Sequence, residues 1–432
     1  MSTEQPLTVI LGPHIDLHTG IHTSMQEDRP EGVFFHTRGG RHYFASDQPA
    51  GGDDKYLPFE QQHLGEVLSF GPGPQVAHSA RWPVVDRRAW VVDLDDFGYP
   101  FVLGRHMFNP RCPGAGGPWT EEAKGRARER AQAMLEPFSH ESCKAVLFRT
   151  HRAVQETRAW LDRLGLTSEG EPFLAKSQVV PPAQRPLLPE LVQRKWASPQ
   201  NLQVLFIGND YEAKCGRLAL DLFHRLGERF PGTQFTYVGQ VPESERAHTE
   251  GIDYRGLITR AEVLKLLSRA HVLFHPSPRE SFGMVLLEAA ANGMAVVVSF
   301  GPGMEHVPEI FGPGEGWTID RFSLAPEEVP GAYEDALAEA LSDREATRER
   351  ALACYQRVLD GPFSVSTQGR ALQEVYRRAA DDPAPEPLAL QDLSAWREQR
   401  TTSQSSQELT LNLKAFSEGL GMTQFAYHAW AW

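Results

Sequence analysis

The chain has 432 residues, a length that favours two domains over one core, and its 41% hydrophobic and 23% charged residues are typical of globular proteins. A formal charge of −13 argues against a general polyanion-binding surface, so no nucleic-acid partner is expected. No apolar run reaches the ~20 residues of a membrane span, and the first residues lack a secretory signal, which predicts a cytoplasmic protein. The four cysteines are widely separated, which argues against a disulfide framework or a structural zinc site.

The first half of the chain predicts an α/β domain. The hairpin-like stretch GVFFHTRGGRHYFAS covers residues 32–46. The other predicted elements, in chain order, are strands LTVILG (7–12) and AWVVDLDDF (89–97), a helix from about 119 to 134, strand CKAVLFRT (143–150), a helix over 151–165, and strand SQVVPP (177–182).

A domain boundary is expected in the Pro-rich stretch 179–200, where Pro and polar residues interrupt both periodicities. We therefore assign residues 1–195 to a first domain, 196–380 to a second, and 381–432 to a tail that crosses back to the first domain. The second domain alternates regularly. Its predicted elements are strand 202–208, helix 216–230, strand 234–239, segment 252–258, helix 259–270, strand 270–277, helix 281–293 and strand 295–299.

The stretch HPSPRESFGMVLLEAAANGMAVVVS, residues 275–299, places Glu280 and Glu288 within one predicted βαβ unit. The ligand side of such a unit is the carboxyl end of its first strand, where free N–H groups at the helix amino terminus attract anions. On a continuous helix the two carboxylates would be about 12 Å apart, which is the span of a ribose, a diphosphate and a sugar. A surface position for Glu288 on an ordinary crossover helix is the alternative.

These residues carry a resemblance to the nucleotide-binding domain of retaining GT-B glycosyltransferases, the glycogen-synthase-like group that includes glycosyltransferase family 4. The signature is E-x7-E, present as Glu280-Ser281-Phe282-Gly283 followed by Glu288, and FIGNDYEAKCG lies upstream. The similarity covers residues 202–320. The first half resembles the family only in overall pattern. The resemblance implies an α/β fold of the GT-B type, with two Rossmann-like domains facing each other across a cleft.

The resemblance also implies roles for individual residues. Glu280 would accept hydrogen bonds from the donor sugar, Glu288 would hold both ribose hydroxyls, and Lys214 would stabilise charge on the leaving diphosphate. A solvated loop position is the alternative for Lys214. Further donor-binding positions would be Ser281, the amides of Phe282 and Gly283, Gly208, Asn209, Gly20 and Arg217. Asn209 stands where the family often has an arginine, and Arg217 is a possible substitute for that second cation.

The amino-terminal half offers less specific signals. The loop GPHIDLHTGIH lacks the adjacent glycines of the family, and Gly12 or Gly20 would take their part. His14, His18 and His22 recur at intervals of four, a spacing that would suit a metal site on a helix. Pro13 makes a continuous helix doubtful, so one histidine near the donor or acceptor is the preferred use. His106 follows a predicted strand and is either a catalytic residue facing the sugar or a helix-capping or packed histidine.

Asp93, Asp95 and Asp96 raise a rival hypothesis, because D-x-D carboxylates hold a divalent ion in GT-A glycosyltransferases. The nucleotide signature lies some way after them instead of before, so we place them on the acceptor side and expect no metal. No organic cofactor is expected either. In the tail, Leu390, Leu393, Trp396, Leu411, Leu413 and Phe416 are expected to pack on both domains. The terminal FAYHAWAW is alternatively a membrane-surface or partner anchor.

The resemblance implies a retaining, metal-independent transfer of a sugar from a nucleoside-diphosphate sugar to a hydroxyl acceptor. The acceptor would be a saccharide, a lipid-linked molecule or a small molecule, and peripheral membrane contact is compatible with it. Two alternatives remain open. One is a phosphorylase, hydrolase or epimerase on the same fold; the other is a non-catalytic protein that binds a sugar nucleotide.

Overall fold

The computed structural model describes residues 6–43, 67–95, 121–197 and 201–393. These residues form two compact units. The first contains residues 6–17, the described part of 25–181, and 369–393, whereas the second contains 18–24 and the described part of 182–368. The short segment 18–24 therefore groups with the second unit although it lies near the amino terminus.

The strands follow in chain order. They are β1 Leu7–Gly12, β2 Val33–Thr37, β3 Arg41–Tyr43, β4 Val67–Ser69, β5 Val76–Ala80, β6 Val84–Val85, β7 Trp90–Leu94, β8 Cys143–Phe148, β9 Ser177–Val179, β10 Gln203–Ile207, β11 Gln234–Val238, β12 Asp253–Gly256, β13 Val272–His275, β14 Ala295–Phe300 and β15 Trp317–Asp320.

The helices alternate with these strands. They are α1 Ser24–Glu27, α2 Glu121–Ser139, α3 His151–Arg163, α4 Thr167–Leu174, α5 Pro189–Ala197, α6 Gly216–Arg229, α7 Arg260–Arg269, α8 Met284–Ala291, α9 Val307–Ile310, α10 Val329–Ser342, α11 Arg344–Leu359 and α12 Val365–Asp381. Within the described ranges, no helix is both long enough and apolar enough to cross a membrane.

Each unit is built on a parallel six-stranded sheet. The strand order is β2-β1-β5-β7-β8-β9 in the first unit and β12-β11-β10-β13-β14-β15 in the second. Every residue of β13, from Val272 to His275, is buried, and so is most of β14. This pattern is typical of strands covered by helices on both faces. Both units are therefore Rossmann-like, as predicted. Because the strands are parallel, the loops that follow them all lie at the same edge of the sheet, at the carboxyl ends of the strands.

The hairpin predicted for residues 32–46 is wrong. β2 pairs in parallel with β1 in the large sheet, whereas β3 pairs antiparallel with β4 in a separate sheet of order β3-β4-β6. The glycines at 39 and 40 separate two strands that belong to different sheets. Short-range turn signals cannot distinguish a hairpin from a turn that joins strands of two different sheets, because both need a sharp change of direction.

The Pro-rich stretch 179–200 contains a helix, α5, where the sequence favoured a linker. Its buried residues Val192 and Trp196 join the core of the second unit, and the Trp196 indole donates to the carbonyl of Gly293 at 2.9 Å. Pro189 is its first residue, a position where the missing N–H costs nothing. Packing against this core stabilises a helix that local composition does not favour.

The carboxy-terminal part of the described chain packs on the first unit. Leu388 and Leu393 are buried in its core, and Leu390 packs against the same cluster. The backbone of Ala384 exchanges two hydrogen bonds with Arg88. Trp396, Leu411, Leu413, Phe416 and the terminal aromatic stretch lie outside the described residues, so their packing stays a prediction.

Helix α12 carries Tyr376 into the first unit beneath its large sheet. The Tyr376 hydroxyl lies 2.6 Å from Nδ1 of His78 on β5, and His78 Nε2 lies 3.0 Å from an oxygen of Asp93 on β7. His78 and Tyr376 are fully buried. Burial raises the pKa of the Tyr376 phenol well above its usual range. This polar network fixes the last turns of α12 against two strands in a single register.

Candidate functional site

Three polar side chains meet at the loop that follows β13 in the second unit. Glu280 Oε1 accepts a hydrogen bond from His275 Nε2 at 2.8 Å and forms an ion pair with Lys214 Nζ. His275 ends β13, and Lys214 lies in the loop after β10. Because β10 and β13 are paired in the sheet, Lys214 meets Glu280 although the two residues are 66 positions apart in the sequence.

The environment of Glu280 favours its carboxylate form. Burial by itself would raise its pKa, but the Lys214 ammonium and the His275 hydrogen bond outweigh burial and hold the pKa well below its usual range. Its side chain is 13% exposed, and among the described residues nothing donates to Oε2. One carboxylate oxygen is therefore held by the protein, and the other stays available as an acceptor.

Glu288 lies on α8 and is almost fully buried, with a side chain that is 1% exposed. Its Oε1 pairs with Arg260 Nη2 at 2.6 Å, whereas Oε2 has no hydrogen-bond partner in the described part of the chain. Burial raises the pKa of Glu288 although Arg260 acts in the opposite direction. A buried carboxylate oxygen without a donor is costly, and a hydrogen-bond donor brought to this oxygen would relieve that cost.

Arg260 was not selected from the sequence, although a local signal for its position exists. It is the first residue of α7, whose start is fixed by a capping box between Thr259 and Glu262. The Thr259 side chain accepts from the Glu262 amide, and the Glu262 carboxylate accepts from the Thr259 amide at 2.9 Å. The cap places the Arg260 guanidinium at the ligand edge of the sheet.

Gly20 belongs to the second unit and lies beside Glu288. A Cβ atom on Gly20 would be 3.4 Å from Glu288 Oε1 and 3.2 Å from the His18 ring, and the carbonyl of Gly20 accepts from the Gln184 amide. A Cβ atom here would meet the carboxylate at ordinary contact distance and would press more closely on the His18 ring. The predicted donor-binding position of Gly20 is thus next to the predicted ribose carboxylate, whereas Gly12 packs in the first unit.

The turn into α8 presents free backbone amides. Gly283 is the N-cap of this helix with φ of +77°, and no side chain caps the helix. The Phe282 side chain is buried and stacks on His306, whose Nε2 lies 3.1 Å from the Phe282 carbonyl oxygen. The Phe282 ring is therefore part of the internal packing, and Ser281 is exposed beside it. Amides at an uncapped helix start attract anions.

The loop after β10 orients Lys214. Gly208 directly follows β10, and a Cβ atom there would be 2.8 Å from Cβ of Lys214, so glycine allows the lysine to lie close to the end of the strand. Asn209 follows in the same loop. Cys215, with φ of +56°, is the N-cap of α6 and lacks a side-chain cap hydrogen bond. The backbone changes direction sharply at Cys215, and Lys214, the residue before it, faces Glu280.

Arg217, proposed as the second cation, lies on the exposed side of α6. Its side chain is 49% exposed and pairs with Asp221 and Glu245, so its charge is already matched by two carboxylates. Arg321, which the sequence did not single out, lies at the end of β15. Its Nη1 is 3.3 Å from the Pro276 carbonyl and 3.6 Å from Cys215 Sγ. No short motif marks Arg321, because only strand order brings it to these loops.

Four of the residues considered for metals have other partners. Asp93 faces His78, and Asp95 pairs with Arg149 in the first unit. His18 and His22 form hydrogen bonds within segment 18–24, from the His18 amide to His22 Nδ1 and from the Gly20 amide to His18 Nδ1. The described ranges contain no group of three or more His, Cys, Asp or Glu side chains that could hold a metal ion. His106 and Asp96 lie outside the described residues.

Comparison with known proteins gives this geometry a context. Residues 190–356 match the family model described as glycosyl transferases group 1. Glycogen synthase of Mycobacterium tuberculosis is 31% identical over 196 residues, which are 42% of this chain and 45% of that protein. D-inositol 3-phosphate glycosyltransferase of Kineococcus radiotolerans is 35% identical over 129 residues, 30% of this chain and 29% of that one. The chain thus spans less than half the length of these relatives.

Solved structures match over more of the chain. WaaG, a glycosyltransferase involved in lipopolysaccharide biosynthesis, superposes with a TM-score of 0.52 at 17% identity, covering 85% of this chain and 99% of WaaG. Sucrose-phosphate synthase from Thermosynechococcus elongatus gives 0.52 at 16%, covering 87% and 99%. At such identities the likeness establishes the fold. The chain therefore has the GT-B fold, and residues 190–356, which lie in its second unit, match the family model of the group 1 glycosyl transferases.

Proposed function

We propose that this protein transfers a sugar from a nucleoside-diphosphate sugar to a hydroxyl acceptor, with retention of the anomeric configuration and without a metal ion. The observation that carries the proposal is the pair of carboxylates in the second unit, each with one oxygen held by a cation and the other without a donor. Two hydroxyl-bearing rings joined by a diphosphate would satisfy both free oxygens.

Each side chain has one task in this proposal. Glu288 accepts from the ribose hydroxyls, Glu280 accepts from hydroxyls of the transferred sugar, and the α8 amides near Gly283 contact the diphosphate. Lys214 is the mobile member in this proposal, since its ammonium can pair with a phosphate as well as with the Glu280 carboxylate. As charge grows on the departing diphosphate, Lys214 stabilises it, the part that a metal ion would otherwise take.

In the proposed transfer, the bond between the anomeric carbon and the diphosphate oxygen breaks. The acceptor oxygen forms a new bond to that carbon on the same face, and the acceptor proton passes to the departing phosphate. No side chain of the second unit is required as a nucleophile. The acceptor, a saccharide, a lipid-linked molecule or a small molecule, is assigned to the first unit.

A division of labour between the two carboxylates tests the proposal. Glu288→Ala should weaken binding of the nucleoside diphosphate by about 1–3 kcal/mol, because a ligand hydroxyl loses a charged acceptor. Glu280→Gln should leave that affinity unchanged and reduce turnover. Thermal shifts with uridine, guanosine, adenosine and thymidine diphosphates first identify the base, and calorimetry with that nucleotide then compares both variants. Equal losses of affinity in the two variants would reject the assignment, and binding without turnover on any acceptor would favour a non-catalytic role.

A further inference from the structure

His275 is a buried side chain of the second unit to which neither sequence nor comparison assigns a role. It is 2% exposed, ends β13, and contacts Glu280 through Nε2. We infer that His275 is the positioning residue for Glu280: it holds Oε1 by a hydrogen bond that persists when Lys214 turns to the diphosphate, so that Oε2 keeps facing the donor sugar. This inference rests on the proposed function.

Without His275, Glu280 would lose one of its two protein partners. Both of its protein partners meet at Oε1, Lys214 from the loop after β10 and His275 from the strand that leads into the Glu280 loop. If Lys214 moves toward a phosphate, its contact with Glu280 weakens. His275 is then the one donor left among the described residues, and a carboxylate in this buried position without any donor would take up a proton or rotate.

The placement of His275 favours a constant contact over a transient one. It belongs to a strand paired on both sides, with β10 and β14, and His275 itself is in register with Val298. Lys214, by contrast, sits on a loop and has a longer, more flexible side chain. A donor on a rigid strand fixes the carboxylate plane, whereas a loop cation is free to follow the charge of the ligand.

The pH dependence follows with a definite sign. The titratable or charged groups that face Glu280 are Lys214, His275 and His306. Lys214 and His275 lower the pKa of Glu280, whereas burial raises it. Removing the His275 donor therefore raises this pKa, and activity that needs the Glu280 carboxylate should be lost at a higher pH as the solution is acidified.

Two substitutions at His275 separate positioning from packing. His275→Leu removes the donor at similar bulk, and His275→Gln keeps an N–H donor on a side chain of comparable reach. The Leu variant should lose turnover about tenfold or more, the effect of one hydrogen bond to a charged group, while affinity for the nucleoside diphosphate stays unchanged. The Gln variant should recover most of the turnover. The acid limb of the rate profile should move to higher pH in the Leu variant only.

His271→Asn is the matched control, because His271 is a buried histidine that directly precedes the opposite end of the same strand from the loop. It should leave the turnover and the acid limb unchanged. Turnover that falls equally in the Leu and Gln variants with an unmoved acid limb would overturn the inference, as would a loss confined to thermal stability.

A spectroscopic readout separates this inference from the proposed function. The carboxyl carbon-13 resonance of Glu280, assigned by its absence in Glu280→Gln, can be titrated in the full-length protein without any substrate. It should titrate at higher pH in His275→Leu than in the wild type. An unchanged titration overturns the inference whether or not sugar transfer is found, whereas a shifted titration in a protein without transferase activity supports the role of His275 and rejects the proposed function alone.

Discussion

Replacing His271 with Asn should flatten the acid side of the stability profile of the second unit. His271 is buried, its Nδ1 accepts from the Gln203 amide at 3.1 Å, and its ring meets Trp196 edge-on at 5.0 Å. Burial, with the nearby Lys195 and Arg344 charges, lowers its pKa to about 4 from an ordinary 6.5. Asn keeps an acceptor near the Nδ1 position but cannot be protonated in this range.

The magnitude follows from proton linkage. The pKa of His271 is lower in the folded protein than in the unfolded chain, so the unfolded chain binds the proton first as the pH falls. The unfolding free energy is therefore highest above the ordinary pKa and decreases as the pH falls toward the pKa of the folded protein. From about pH 7.5 to about pH 5, the two pKa values correspond to about 2 kcal/mol of lost unfolding free energy. Lys195, whose pKa burial lowers to about 7, titrates in both proteins and cancels in the comparison.

The assay is urea unfolding at both pH values, followed by circular dichroism and tryptophan fluorescence, for the wild type, His271→Asn and the control His224→Asn. His224 is partly buried and contacts the His248 carbonyl at 2.9 Å. The wild type and the control should lose about 2 kcal/mol more than His271→Asn on acidification. If the loss is the same in all three proteins, the burial of a neutral His271 does not control acid stability and the reasoning fails.

Three further predictions concern the site, helix α6 and the tail. Lys214→Ala should reduce transfer at least about tenfold, or about 1.4 kcal/mol, and wild-type activity should survive EDTA. Gly216→Ala should destabilise the protein by about 1–3 kcal/mol, because its Cβ would lie 2.4 Å from a tyrosine hydroxyl, whereas Gly227→Ala in the same helix, with open space around it, should stabilise by about 0.4–1 kcal/mol in thermal unfolding. Leu388→Ala should cost about 2–5 kcal/mol, and Leu390→Ala, which is only partly buried, should cost less.

Each of these has an outcome that contradicts it. Activity that disappears in EDTA and returns with manganese or magnesium would restore the metal hypothesis for Asp93 and Asp95. Equal thermal shifts for the two glycine variants would mean that α6 can move away from its tyrosine neighbours. If Leu388→Ala unfolds like the wild type, residues 384–393 do not contribute to the core of the first unit.

The sequence by itself determined the features that depend on local pattern. The alternation in residues 202–299 predicted β10, β11, β13 and β14 within a few residues, since apolar runs and helix signals are read over short windows, whereas β12 was expected only as a segment without an assigned structure. The E-x7-E motif located Glu280 and Glu288 on a loop and helix of a βαβ unit. The 12 Å estimate assumed a continuous helix, whereas α8 begins at Met284 and Glu280 precedes it, so the rise per residue does not apply and the spacing stays a prediction.

Only the tertiary structure decided which side chains meet. Lys214, His275 and Arg260 reach the two carboxylates because β10 and β13 are neighbours in the sheet and α7 begins beside them, and strand order is not written in any short window. Long-range packing also places β2 and β3 in different sheets and groups segment 18–24 with the second unit. Long-range burial selects among locally acceptable arrangements, so chemistry was readable from the motif, but its partners required the fold.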